Sequence, residues 1–85
     1  MSIFTSEFVG TFVLVAAVLS LTNKYFIAFA FLVAIILASA SGSHINPVIT
    51  LVKHMQGAVS NNDLLQYIGG QVAGAIVALY IMGKL

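Results

Sequence analysis

The sequence predicts an all-α membrane protein built from three transmembrane helices and one re-entrant half-helix. Three observations carry that prediction. Of the 85 residues, 61% are hydrophobic and only 6% are charged, whereas soluble domains are about a quarter charged. Residues 8–23, 25–43 and 64–83 form three long stretches without a single charge, each close to the roughly 20 residues a helix needs to cross about 30 Å of hydrocarbon. Between the second and third stretches, a Ser-Gly-Ser break is followed by Asn46-Pro47 and a short apolar run.

A lone apolar segment in lipid must satisfy its own backbone hydrogen bonds, so each long stretch is helical. The expected boundaries within the single 1–85 unit are about 4–22 for helix 1, 25–41 for helix 2 and 62–83 for helix 3. Asn23 and Lys24 make a tight hairpin between the first two helices, with Tyr25 at the interface, where amphipathic rings settle. Asn61 or Asn62 is the expected N-cap of helix 3, with Asp63 in its first turn, where the helix dipole favours an acid. The first apolar run lacks the basic leader of a secretory signal peptide and carries Glu7 in its place, so it is read as a membrane helix.

Residues 42–56 are the informative segment. Ser41, Gly42 and Ser43 form a small, non-helical run. Asn46 as N-cap and Pro47 at the first helical position are a strong helix start, and Gly57 is a reasonable stop. About ten helical residues span about 15 Å, half a bilayer, so the segment dips in and returns. Asn46 then lies near the midplane. Its side-chain oxygen caps the helix and its amide group remains free to donate. The carbonyls of Gly42, Ser43, His44 and Ile45 are available as acceptors. Free donors and acceptors at that depth require a watery cavity, and they suit water or a small polyol better than an ion.

The charged residues are Glu7, Lys24, Lys53, Asp63 and Lys84, with His44 and His54 beside them and a net charge of +1. Such a chain has no basic patch for nucleic acid. With no cysteine, disulfide and thiol chemistry are excluded. No nucleophile–base pair or metal cluster is visible, so neither an enzyme, a metal nor a cofactor is expected.

The run Ser41-Gly42-Ser43-His44-Ile45-Asn46-Pro47-Val48-Ile49-Thr50-Leu51 resembles the first Asn-Pro-Ala loop of the aquaporin, or major intrinsic protein, family. Glu7-Phe8-Val9-Gly10-Thr11-Phe12 resembles that family's first helix, and Gly70-Gln71-Val72-Ala73-Gly74-Ala75 its third. The resemblance implies a membrane channel for passive permeation of water or small neutral solutes such as glycerol. In channels of that kind the positive ends of half-helices repel cations and protons. Family members carry two inverted halves with six full helices and two half-helices, and this sequence contains one half. The expectation is therefore an antiparallel homodimer in the bilayer, a cell or plasma membrane, with four pores from eight chains as the family's further assembly. Lys residues are almost evenly divided between the two sides, which leaves insertion in both orientations open.

Val48 stands where the family has Ala. Ile49 stands where a filter Arg follows the second loop of family members. The resemblance places Phe26, Ala34 and Ser43 with Ile49 as constriction candidates. It implies that Glu7 faces inward and, with Gln71, braces the re-entrant loop, and that His44 stabilises the loop. Read without it, Glu7 is a surface acid favoured by the helix dipole. His54 is read as interfacial. Gly70, Gly74 and Ala78, like Ser6 and Gly10, recur every four residues and are read as close helix-packing positions. Two rival functions are a small dual-topology proton-coupled transporter using Glu7 and a holin-like membrane protein. The second needs no Asn-Pro half-helix.

Overall fold

The computed structural model describes residues 1–83 and is helical, with no strand among them. Helix α1 is Ile3–Ser20, α2 is Lys24–Leu37, α3 is Pro47–Met55 and α4 is Asn61–Ile81. A 3-10 turn, Ser39–Ser41, follows α2. Helices α1 and α4 are long and apolar enough to cross a membrane. At 1.5 Å per residue α4 spans about 31 Å, while α2, with 14 residues, reaches only about 21 Å.

Caps explain most of the boundaries. Asn23 accepts from the backbone N–H of Tyr25 and Phe26, so Lys24 becomes the first residue of α2. Helix α4 is capped by Ser60, whose hydroxyl accepts from Asp63 N–H. This corrects the expectation of Asn61 or Asn62. Ser60 lies three residues before Asp63, the spacing at which a capping hydroxyl meets its amide. Helix α2 ends at Leu37, four residues short of the expected 41. There Ser41 N–H bonds to Ala38 O in the tighter i→i−3 pattern, and the Ser41 hydroxyl oxygen lies 2.9 Å from the same carbonyl. Gly57, at φ 80°, ends the α3 segment as expected. Lys84, expected at the far end of helix 3, lies outside the described residues.

The packing depends on missing side chains. Helix α1 lies chiefly along α4 and secondarily along α2. A Cβ on Gly70 would fall 2.5 Å from the Phe4 carbonyl oxygen, and one on Gly74 would fall 2.6 Å from that of Phe8. These two glycines therefore let α4 rest directly on the α1 backbone. Gly10 faces the other way, where a Cβ would meet the Ala38 and Ile45 side chains at 2.8 Å. The small buried core of Ala34, Ala38 and Ile45 forms around it.

These contacts fix direction. Phe4 lies by Gly69 and Gly70, and Phe8 by Gly74, so α1 and α4 run parallel. Ser20 Oγ, at the end of α1, lies 3.8 Å from Met82 Sδ, just beyond α4. Helix α3 descends along α4 in the opposite sense. Thr50 meets Gln71, the midpoint of α4, and His54 Nε2 lies 2.8 Å from Asn61 Oδ1 at its start. The half-helix therefore begins level with the middle of α4 and ends level with its first turn.

Replacing Gly74 with Val should separate α1 from α4 and lower stability by about 1–3 kcal/mol, as overpacking does. Thermal unfolding in detergent checks this, and Ala73→Val, outside the closest contact, serves as the comparison.

Candidate functional site

The chain between α2 and α3 is not regular. Gly42, Ser43 and Ile45 take positive φ values of 93°, 59° and 39°. Gly42 does so freely, whereas a β-branched Ile in this region is strained and persists only where its surroundings hold it. Two contacts hold Ile45. Its N–H donates to Glu7 Oε1 at 2.6 Å, and its side chain is buried against Gly10. Asn46 then turns extended, its Oδ1 accepts from Val48 N–H at 2.8 Å, and Pro47 starts α3. The Asn46 side chain is exposed, and its amide nitrogen makes no hydrogen bond among the described residues. Nor, among those residues, does any backbone donor pair with the carbonyls of Gly42, Ser43, His44 or Ile45.

Glu7 is the centre of the site and is fully buried. Its Oε2 accepts from Ser41 Oγ and, at 3.2 Å, from His44 N–H. Its Oε1 accepts from Ile45 N–H and, at 3.0 Å, from Gln71 Nε2. Four donors fill the four lone-pair sites of a carboxylate. The second hydrogen of Gln71 Nε2 goes to Thr50 Oγ1 at 2.9 Å. Thr50 is also fully buried, and its hydroxyl lies 3.0 Å from His44 Nδ1 and 3.3 Å from Asn46 O. The His44 ring stacks on Tyr67 with centroids 3.9 Å apart, and the Tyr67 hydroxyl donates to Ser41 O. One network thus joins α1, the loop, α3 and α4.

Glu7, Gln71, His44 and Ile45 come together around the loop. Asn46, Pro47, Val48 and Ile49 emerge from it with exposed side chains. Ser43 donates its hydroxyl to Ile35 O and so ties the loop to α2. Phe26 is exposed near the start of α2. Ala34 corrects the constriction expectation. It is wholly buried in the core beneath Gly10 and has no surface to offer a pore. Thr50 and Tyr67 were not singled out from the sequence. The signals were spacings of four: Thr50 lies one turn after Asn46, and Tyr67 one turn before Gln71, so each shares a helix face with a residue that was singled out.

A largely apolar hollow of about 280 Å³ opens beside the network. It is bounded by Thr11, Leu14, Val15, Ile45, Pro47, Gln71, Val72 and Ala75. Thr11 Oγ1 and Gln71 Oε1 are buried at its edge without hydrogen-bond partners in the described structure.

A half-helix that starts level with the middle of α4 behind an Asn-Pro cap is thus hung from a buried carboxylate. The family described as Major intrinsic protein matches residues 23–85, about three-quarters of the chain, and the chain belongs to that family. The match covers α2, the loop, α3 and α4; α1, with Glu7, precedes it. Comparison with curated proteins and with solved structures returned no match. The family is one of membrane channels for water or small solutes, not of enzymes.

Thr50→Val keeps the shape of the side chain but leaves a Gln71 amide hydrogen and His44 Nδ1 facing a methyl group. It should cost about 1–3 kcal/mol, the range for stranding a buried polar group. Thr50→Ser, which restores the hydroxyl, should recover most of that loss in the same detergent unfolding assay.

Proposed function

We propose that this chain conducts water and small neutral solutes such as glycerol passively, through a pore that an inverted second copy completes. The observation that carries the reading is the polar track at mid-depth. The Asn46 amide is spoken for on its oxygen side only, and the four carbonyls before it lack backbone partners. In lipid such groups are costly. In a narrow wet tube they replace the hydration of a molecule that both donates and accepts. The N-terminus of α3 adds partial positive charge at the same level, which disfavours cations.

Support for a second copy is geometric. A single half-helix packs on α4 alone among the helices, and Val48, Ile49, Leu51, Val52 and Met55 are left exposed. Charges lie at the ends of the unit, with Lys53 and Asp63 at one end and Lys24 at the other. Inverted insertion therefore places no charge at mid-depth beyond the compensated Glu7. Phe26 and Ile49, both exposed, are the side chains proposed to narrow the pore mouths. That constriction is apolar, in keeping with polyol passage.

The structural state of Glu7 weighs against proton-coupled transport. A carboxyl group that shuttles protons must exchange them with water, and Glu7 is fully buried with every acceptor site occupied. A holin-like role gives no reason for so ordered a loop.

Asn46→Leu in reconstituted liposomes tests the reading. Removing a hydrogen-bond donor worth about 1.4 kcal/mol to the permeant slows passage about tenfold, so the osmotic shrinkage rate should fall to near that of protein-free liposomes. An Asn46→Leu protein that folds, inserts and conducts at the unaltered rate contradicts the assigned role.

A further inference from the structure

Two buried polar atoms meet the hollow beside the network without a partner of their own. Thr11 and Gln71 are only 6% and 4% exposed, and both line the hollow. Thr11 Oγ1 and Gln71 Oε1 make no hydrogen bond among the described residues. Buried polar groups in native proteins are nearly all hydrogen-bonded, so each exception calls for an explanation. The Gln71 amide cannot simply be turned over. Its Nε2 donates to Glu7 Oε1 and Thr50 Oγ1, and an amide oxygen in that place would oppose the carboxylate. The oxygen is therefore left to the hollow as a pure acceptor. Helical hydroxyls commonly bond the carbonyl one turn back, as Ser20 does with Ala16 and Thr50 with Asn46. Thr11 does not, and its hydroxyl stays free to donate and to accept. Thr11 follows Glu7 by one turn of α1, and Glu7 binds Gln71, so the two atoms stand at the same end of the hollow.

We propose that the hollow is a binding site for a short-chain aliphatic alcohol. The alcohol's hydroxyl donates to Gln71 Oε1 and accepts from Thr11 Oγ1, and its alkyl chain lies along Leu14, Val15, Val72 and Ala75. A hydroxyl does both tasks with one oxygen. A charged head group would need compensation that neither an amide oxygen nor a lone hydroxyl supplies. Water alone does not suit the site. The hollow measures about 280 Å³, several times the roughly 30 Å³ that a water occupies in the liquid, and apolar walls do not hold the additional waters. A lipid acyl chain covers those walls but leaves both polar atoms unpaired. A mostly apolar recess with a few convergent polar groups is the usual form of a small-molecule site, and this volume lies at the small end of the range. Asn46, on which the channel reading turns, forms no part of the wall, so the two readings stand or fall separately.

Fluorine NMR of 4,4,4-trifluoro-1-butanol with the full chain in detergent micelles tests the site, with protein-free micelles as the background. The expected result is a saturable, protein-dependent broadening of the fluorine line. 1-Butanol should displace the probe several-fold better than diethyl ether, an isomer that accepts hydrogen bonds but cannot donate to Gln71 Oε1. Thr11→Val removes the hydroxyl and keeps the side-chain shape, and should weaken probe binding about tenfold, the equivalent of one hydrogen bond. Because the Thr11 hydroxyl bonds nothing within the described chain, thermal unfolding of that variant without the probe should match the unaltered protein. Ala75→Leu, which fills the hollow and leaves both polar atoms in place, should abolish binding. Broadening no greater than in protein-free micelles overturns the proposal, and means that water or lipid meets these groups. Equal displacement by the alcohol and the ether, or unaltered binding in a folded Thr11→Val protein, overturns it as well.

Discussion

Glu7 binds together three segments that would otherwise have little reason to meet. It lies in the second turn of α1, yet its carboxylate accepts from Ser41 before the loop, from His44 and Ile45 within it, and from Gln71 at the centre of α4. A buried charge in an apolar chain is tolerated only when its hydrogen-bonding capacity is met, and here the requirement runs both ways. The His44 and Ile45 amides have no helix or sheet to pair with, and the carboxylate is buried. Each satisfies the other. The partial positive charge at the start of α3 adds to the match.

The rest of the geometry depends on that pairing. With Ile45 N–H fixed to Glu7, its strained left-handed backbone is held, and the chain re-enters α3 at a set height. The glycines of α4 bring α1 close enough for Gln71 to reach both Glu7 and Thr50. Gly10 admits Ile45. An added methyl group at any of these positions would move the carboxylate relative to the loop. The exposed half of the loop, from Asn46 to Ile49, follows directly on this anchored stretch.

Much of this was legible in the sequence. Charge-free stretches gave the long helices, and Asn46-Pro47 gave the start of α3 because capping chemistry is local. The small residues at 70 and 74 announced a close helix pair, though not that Gly10 would face α2 and the loop instead of α4. What the sequence could not show was three-dimensional. Thr50 and Tyr67 draw no notice in the sequence until the fold places one between Gln71 and His44 and the other flat against the His44 ring. Ala34 was assigned to a pore mouth by alignment with larger relatives, and a small side chain there is as well explained by the crowded contact with Gly10. The end of α2 moved because serine hydroxyls near a helix terminus compete for its carbonyls, an effect that charge and hydropathy do not register.

The central claim is that position 46 lies at mid-depth and faces water. Two single-cysteine variants, Asn46→Cys and Ile76→Cys, the latter at an exposed apolar site near the middle of α4, can be treated in sealed vesicles with a small water-soluble thiol reagent. The account predicts that the thiol at position 46 reacts while the one at position 76, at comparable depth, stays silent. A position-46 thiol as unreactive as that at position 76, in protein shown to be folded, would contradict it.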